Sequence, residues 1–117
     1  MRNDTFYEGF EGEGEVCFTN GDDELVIWVG YFYTIYDSIF SKAEKGGMLD
    51  AYTKCEDGYD WAPGQMEEME LTIRQLSCFD GENTELPTRK TQLKSAKNAI
   101  ISFLRENIDK GIHVAFD

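Results

Sequence analysis

Polar and apolar residues alternate through Glu15-Val16-Cys17-Phe18-Thr19, the pattern of a strand with one buried face. Asn20-Gly21-Asp22-Asp23 follows as a turn, with Asn-Gly suited to positive φ. Leu25-Val26-Ile27-Trp28-Val29 is then apolar without alternation, which predicts a strand covered on both faces. A β-hairpin over about 15–29 is the expectation. Upstream, Glu8-Gly9-Phe10-Glu11-Gly12-Glu13-Gly14 reads as a flexible acidic turn behind a short edge strand near Phe6.

After Gly30 the period changes. Phe32, Ile35, Tyr36, Ile39, Phe40 and Ala43 fall at helical spacing, and Gly46-Gly47 supplies a left-handed stop. Met48–Tyr52 forms a short second helix with Leu49 and Tyr52 inward. Cys55 to Gly64 reads as a turn-rich connection. Met66, Met69, Ile73 and Leu76 repeat at 3, 4 and 3, which favours a helix over the shorter competing strand through Met69, Leu71 and Ile73. Asp80 to Pro87 is a loop. A last helix runs from about Thr88 to Lys110 on Leu93, Ala96, Ile100, Leu104 and Ile108, and Gly111 ends it. Ile112, Val114 and Phe116 alternate and predict a closing strand. The sum is one domain over 1–117 of the α+β class: a small antiparallel sheet from the N-terminal hairpin and the C-terminal strand, packed against three to four helices.

Composition agrees with a folded domain. The chain of 117 residues is 41% hydrophobic and 14% aromatic, more than an acidic disordered chain carries. Charge changes the picture more. The net charge is −12, and it is unevenly spread. Residues 1–87 hold 20 Asp/Glu against 5 Lys/Arg, whereas residues 88–117 hold 6 Lys/Arg against 3 Asp/Glu. Such a surface repels nucleic acid and anionic membrane and draws in a basic protein. Part of the asymmetry is expected to be internal, with the basic last helix laid against the acidic body.

Catalytic candidates are few. His113 is the sole histidine and is out of step with the inward set of the last strand. Gly9, Gly12 and Gly14 alternate with glutamates that would repel a phosphate. Asp22-Asp23-Glu24 and Asp80-Gly81-Glu82-Asn83 lack the spacing of a calcium loop. Cys17, Cys55 and Cys78 are odd in number and far apart, so buried free thiols are expected rather than disulfides or a zinc site. The chain starts without an apolar signal core, and its longest apolar run is too short for a bilayer span. A cytoplasmic binding protein follows, neither an enzyme nor dependent on a metal or cofactor.

Acid gathers at Glu11/Glu13/Glu15, Asp22/Asp23/Glu24, Glu56/Asp57/Asp60 and Glu67/Glu68/Glu70. Trp61 and Tyr59 accompany the third set, as aromatic anchors accompany steering charges at interface centres. Candidate partner-binding residues are therefore Asp22, Asp23, Glu24, Glu56, Asp57, Asp60 and Trp61. The competing role for Trp61 is in the core.

The run Leu49-Asp50-Ala51-Tyr52, Gly58-Tyr59-Asp60-Trp61 and Ile73-Arg74-Gln75-Leu76, in a chain this small and acidic, resembles the immunity proteins of bacterial contact-dependent inhibition toxin systems. The resemblance implies a cytoplasmic antitoxin without catalytic activity. It would bind a cognate toxin domain, often a basic nuclease, and cover or distort its active site. The alternative is a chaperone or adaptor for a secreted effector, which predicts an exposed apolar groove and a dimer.

Overall fold

A computed structural model describes residues 1–53, 60–61, 66–79 and 90–116. Along the chain run β1 (Arg2–Phe6), β2 (Glu15–Thr19), β3 (Glu24–Trp28), α1 (Val29–Ile39), α2 (Gly47–Thr53), β4 (Asp60–Trp61), α3 (Met66–Ser77), α4 (Lys90–Glu106) and β5 (His113–Phe116). The strands form one sheet in the order β1-β3-β2-β5-β4. The fold is α+β. Its β3-β2-β5-β4 ladders are antiparallel, as the patterning predicts. β1 adds a parallel pair to β3, with a register irregularity between Asn3 and Phe6, so the whole sheet is mixed.

Register explains the alternation. Val16 lies opposite Ile27 and Phe116, and Phe18 lies opposite Leu25 and Val114. These six side chains are all buried on one face, because cross-strand partners share a face. Onto them pack Phe32, Ile35, Tyr36 and Ile39 of α1 and Leu93, Ala96, Ile100 and Leu104 of α4. Phe32 meets Phe116 at 5.4 Å and Phe18 meets Phe103 at 6.4 Å between ring centroids, both edge-on. Val26 points to the other face and is also fully buried, so β3 is buried on both sides over Leu25–Ile27. Arg2 spans that outer face, 2.9 Å from Glu24 and 3.8 Å from Glu15.

Two helix ends differ from the sequence pattern. α1 stops at Ile39, and Phe40 is exposed with Lys45 over its ring. Gly46 and Gly47 open α2 instead of closing α1. The cause is α3. The Gln75 amide donates to the carbonyls of Glu44 (2.8 Å) and Gly46 (2.6 Å). Gln75 Oε1 and Thr72 Oγ1 accept from the amides of Leu49 (3.3 Å) and Met48 (3.1 Å). Gln75 and Thr72 are almost wholly buried, and together they latch residues 44–49 onto α3. At Gly47, where φ is +54°, a Cβ would stand 2.7 Å from Thr72 Oγ1.

α4 likewise ends at Glu106, short of Lys110. The carbonyl of buried Asn107 takes the amides of Lys110 and Gly111, and the chain turns there into β5. Residues 60–61, expected within a turn-rich connection, form β4 by pairing with Ala115 and Val114. Two residues with no alternation of their own become a strand only because β5 offers them an edge. Met66, placed on the buried stripe of α3, is exposed. Cys17 and Cys78 are free thiols but half-buried, not buried. Among the described residues no helix is long and apolar enough to cross a membrane.

Candidate partner-binding cleft

The acidic turn between β2 and β3 is built by Asn20. Its Oδ1 accepts from the amides of Asp22 (2.8 Å) and Asp23 (2.7 Å). Gly21 takes φ of +99° and donates to Thr19 Oγ1. An Asn side chain folded over its own turn leaves the following carboxylates no inward route. Asp22 and Asp23 therefore project to solvent. The other end of the Asn20 amide donates to Asn107 Oδ1 at 2.8 Å. Asn107 Nδ2 in turn donates to the carbonyl of Phe103 at 2.8 Å. The turn is thus tied to the C-terminal end of α4.

Beside this tie lies a cleft of about 220 Å³ between the turn, β1 and α4. Leu25, Ala99 and Phe103 form its apolar wall, Asp23 and Glu106 line it as acids, and Glu24 borders it while its carboxylate meets Arg2 on the outer face of the sheet. The mixture suits a cation on an aliphatic stem, because a Lys or Arg can bury its methylenes while its charge meets the rim. Asp23 and Glu24 already have weak partners. Asp23 lies 3.1 Å from the ammonium of Met1, and Glu24 lies 2.9 Å from Arg2. The hydrogen bond to Glu24, with the charges of Glu15, Glu24 and Asp4, raises the Arg2 guanidinium above its ordinary value. Met1, Asp23, Arg2 and Glu24 are substantially exposed, so an incoming cation can exchange with them at little cost.

Of the residues singled out from the sequence, Asp22, Asp23 and Glu24 come together on this turn. Asp60 and Trp61 lie on β4 at the far edge of the sheet, separated from β2 by β5. Their side chains, and Glu56 and Asp57 entirely, lie outside the described residues. Glu67 and Glu68 sit in the first turn of α3, where the helix dipole favours them. Glu106 was not expected. It falls in the basic final stretch of the chain, and the packing of α4 on the sheet, with the Asn20–Asn107 tie, brings it beside the turn.

The Gly-rich acidic segment is less loose than its composition suggests. Tyr7, Phe10 and Glu13 donate their amides to the carbonyls of Asp4, Tyr7 and Phe10, a chain of successive turns. Phe10 stacks on Trp28 at 3.8 Å with planes 4° apart. This fixes Glu11 and Glu13 beside the sheet end, away from the cleft lining. Lys94, Lys97 and Arg105 make no ion pair among the described residues, and Lys97 reaches only the Phe79 carbonyl. His113 is exposed on β5, and among the described residues no group of three His, Cys, Asp or Glu could hold a metal.

The chain matches no protein-family model, and neither a curated protein nor a solved structure matches it.

Proposed function

We propose that this chain is a binding protein of the immunity type, which captures a basic toxin domain and neutralises it by occupying the surface where that toxin holds its substrate. The observation that carries this reading is the cleft in which Asp23 and Glu106 line an apolar wall. A Lys or Arg of the partner would lay its stem on Leu25 and Phe103 and bring its cation to Asp23 and Glu106. If the toxin is a nuclease, these carboxylates take the place of the phosphates its basic site normally binds. The Asn20–Asn107 tie holds the turn in place beforehand, which lowers the ordering cost of association. The net charge of −12 adds long-range attraction. Steering of this kind lifts association rates toward about 10⁸ per molar per second at low salt.

The test is a stopped-flow measurement of association with a basic nuclease-type toxin domain. The rate should fall more than about tenfold between low and physiological salt. The double variant D23N/E106Q should flatten that dependence and weaken the complex. A salt-independent rate, or toxin activity unaffected by an equimolar amount of the chain, would sink the proposal.

A further inference from the structure

On the opposite side of α4 from the acidic cleft lies a second groove, of about 380 Å³, between α3 and α4. Its lining is Glu70, Ile73 and Arg74 of α3 with Arg105 and Ile108 at the end of α4. The chain has four arginines, and this groove collects two of them. Arg74 spends its Nε on exposed Glu44 at 3.1 Å. Arg105 makes no ion pair among the described residues, although the chain holds 23 acids against 11 bases. Glu70 shares the groove without pairing to either arginine. Ile73 and Ile108 are half-buried there. Arg105 and Glu106 are consecutive on α4 but serve different grooves, so the last turn of the helix is a ridge with an arginine groove on one flank and a carboxylate cleft on the other.

We propose that the α3/α4 groove seats an acidic, aliphatic segment of a protein partner, with a Leu-type side chain on Ile73 and Ile108 and an Asp or Glu carboxylate held by Arg105 and Arg74. Charge complementarity selects the carboxylate. The planar guanidinium fork matches its two oxygens, and the two isoleucines need an apolar companion beside it. Inorganic phosphate offers no aliphatic group, so Ile73 and Ile108 would gain no companion from it. A partner crossing the ridge must then offer acid on one flank and base on the other, which fixes its orientation. This inference stands apart from the toxin reading, and its test uses no toxin.

The experiment is a ¹⁵N-NMR titration of the full chain with the peptide acetyl-Leu-Asp-Glu-Leu-amide. Amide signals of Ile73, Arg74, Arg105 and Ile108 should shift together. The uncharged analogue acetyl-Leu-Asn-Gln-Leu-amide should bind about tenfold more weakly. R105Q should lose about the same factor, and R74Q part of it. Arg105 also stands in the last turn of α4, where a cation suits the helix dipole. If R105Q lowers the melting temperature yet leaves peptide binding intact, the arginine serves only its helix and the proposal fails. Equal binding of both peptides, or phosphate alone shifting the same signals more strongly, also overturns it. Should R105Q not fold, the two-peptide comparison on the unaltered chain and the R74Q titration decide the matter.

Discussion

Asn20 and Asn107, 87 positions apart, share a hydrogen bond of 2.8 Å between Asn20 Nδ2 and Asn107 Oδ1. Each amide also works locally: Asn20 folds the acidic turn, and Asn107 ends α4. The pair couples a hairpin tip to a helix terminus, and the candidate cleft lies between them.

Asn107→Leu removes the side-chain partner of both the Asn20 amide and the Phe103 carbonyl at a site only 3% exposed. Unsatisfied buried polar groups cost about 1–3 kcal/mol. The variant should lose about that much in urea denaturation. It should also broaden the amide signals of Asp22 and Asp23, since their turn loses its anchor.

Gly30 is required by its neighbour and not by its own φ. A Cβ there would stand 2.4 Å from the Trp28 ring, which folds back over the start of α1. Gly30→Ala should therefore destabilise by about 1–3 kcal/mol through overpacking, although alanine favours a helix interior by about 1 kcal/mol. The displaced indole leaves its stack with Phe10, so the near-ultraviolet circular dichroism should weaken with it.

Gln75→Glu is the sharp test of the α2–α3 latch. Glutamate is nearly the same shape but has no N–H to offer the Glu44 and Gly46 carbonyls. It also places a carboxylate against two carbonyl oxygens. The loss should reach about 3 kcal/mol, at least that of Gln75→Ala, when read from thermal unfolding at neutral pH.

Tyr36 is fully buried, and its hydroxyl has no hydrogen-bond partner among the described residues. Burial pushes its phenol far above the ordinary range. The unfolded chain ionises this tyrosine near pH 10, whereas the folded chain keeps it neutral. Stability is therefore unaffected by this group below about pH 10 and falls as pH rises beyond it. Tyr36→Phe should be neutral or stabilising by up to about 1 kcal/mol at pH 7. It should also shift base-induced unfolding to higher pH, as followed by circular dichroism.

The α+β class was legible because local periodicity is a direct record of which face meets the core. Val16 and Phe18 alternate, Leu25–Ile27 run continuously, and Leu93, Ala96, Ile100 and Leu104 keep a helical step. The Asn20-Gly21 turn was legible for the same reason, since its backbone requirement is local. Asp23 and Glu24, which line the candidate cleft, and Asp22 beside them were legible from the sequence for that reason. Glu106 carried no signal, because a lone acid in a basic stretch acquires meaning only from its spatial neighbours.

What tertiary structure decided are the features that depend on a partner far along the chain. α1 stops at Ile39 because Gln75 and Thr72 outbid helix continuation for residues 44–49. β4 exists because β5 has an edge to fill, and β1 runs parallel because it adds beside β3. The total charge was set by composition alone. Its division into a carboxylate cleft and an arginine groove on either side of α4 was set by packing, which places consecutive residues of one helix on different faces.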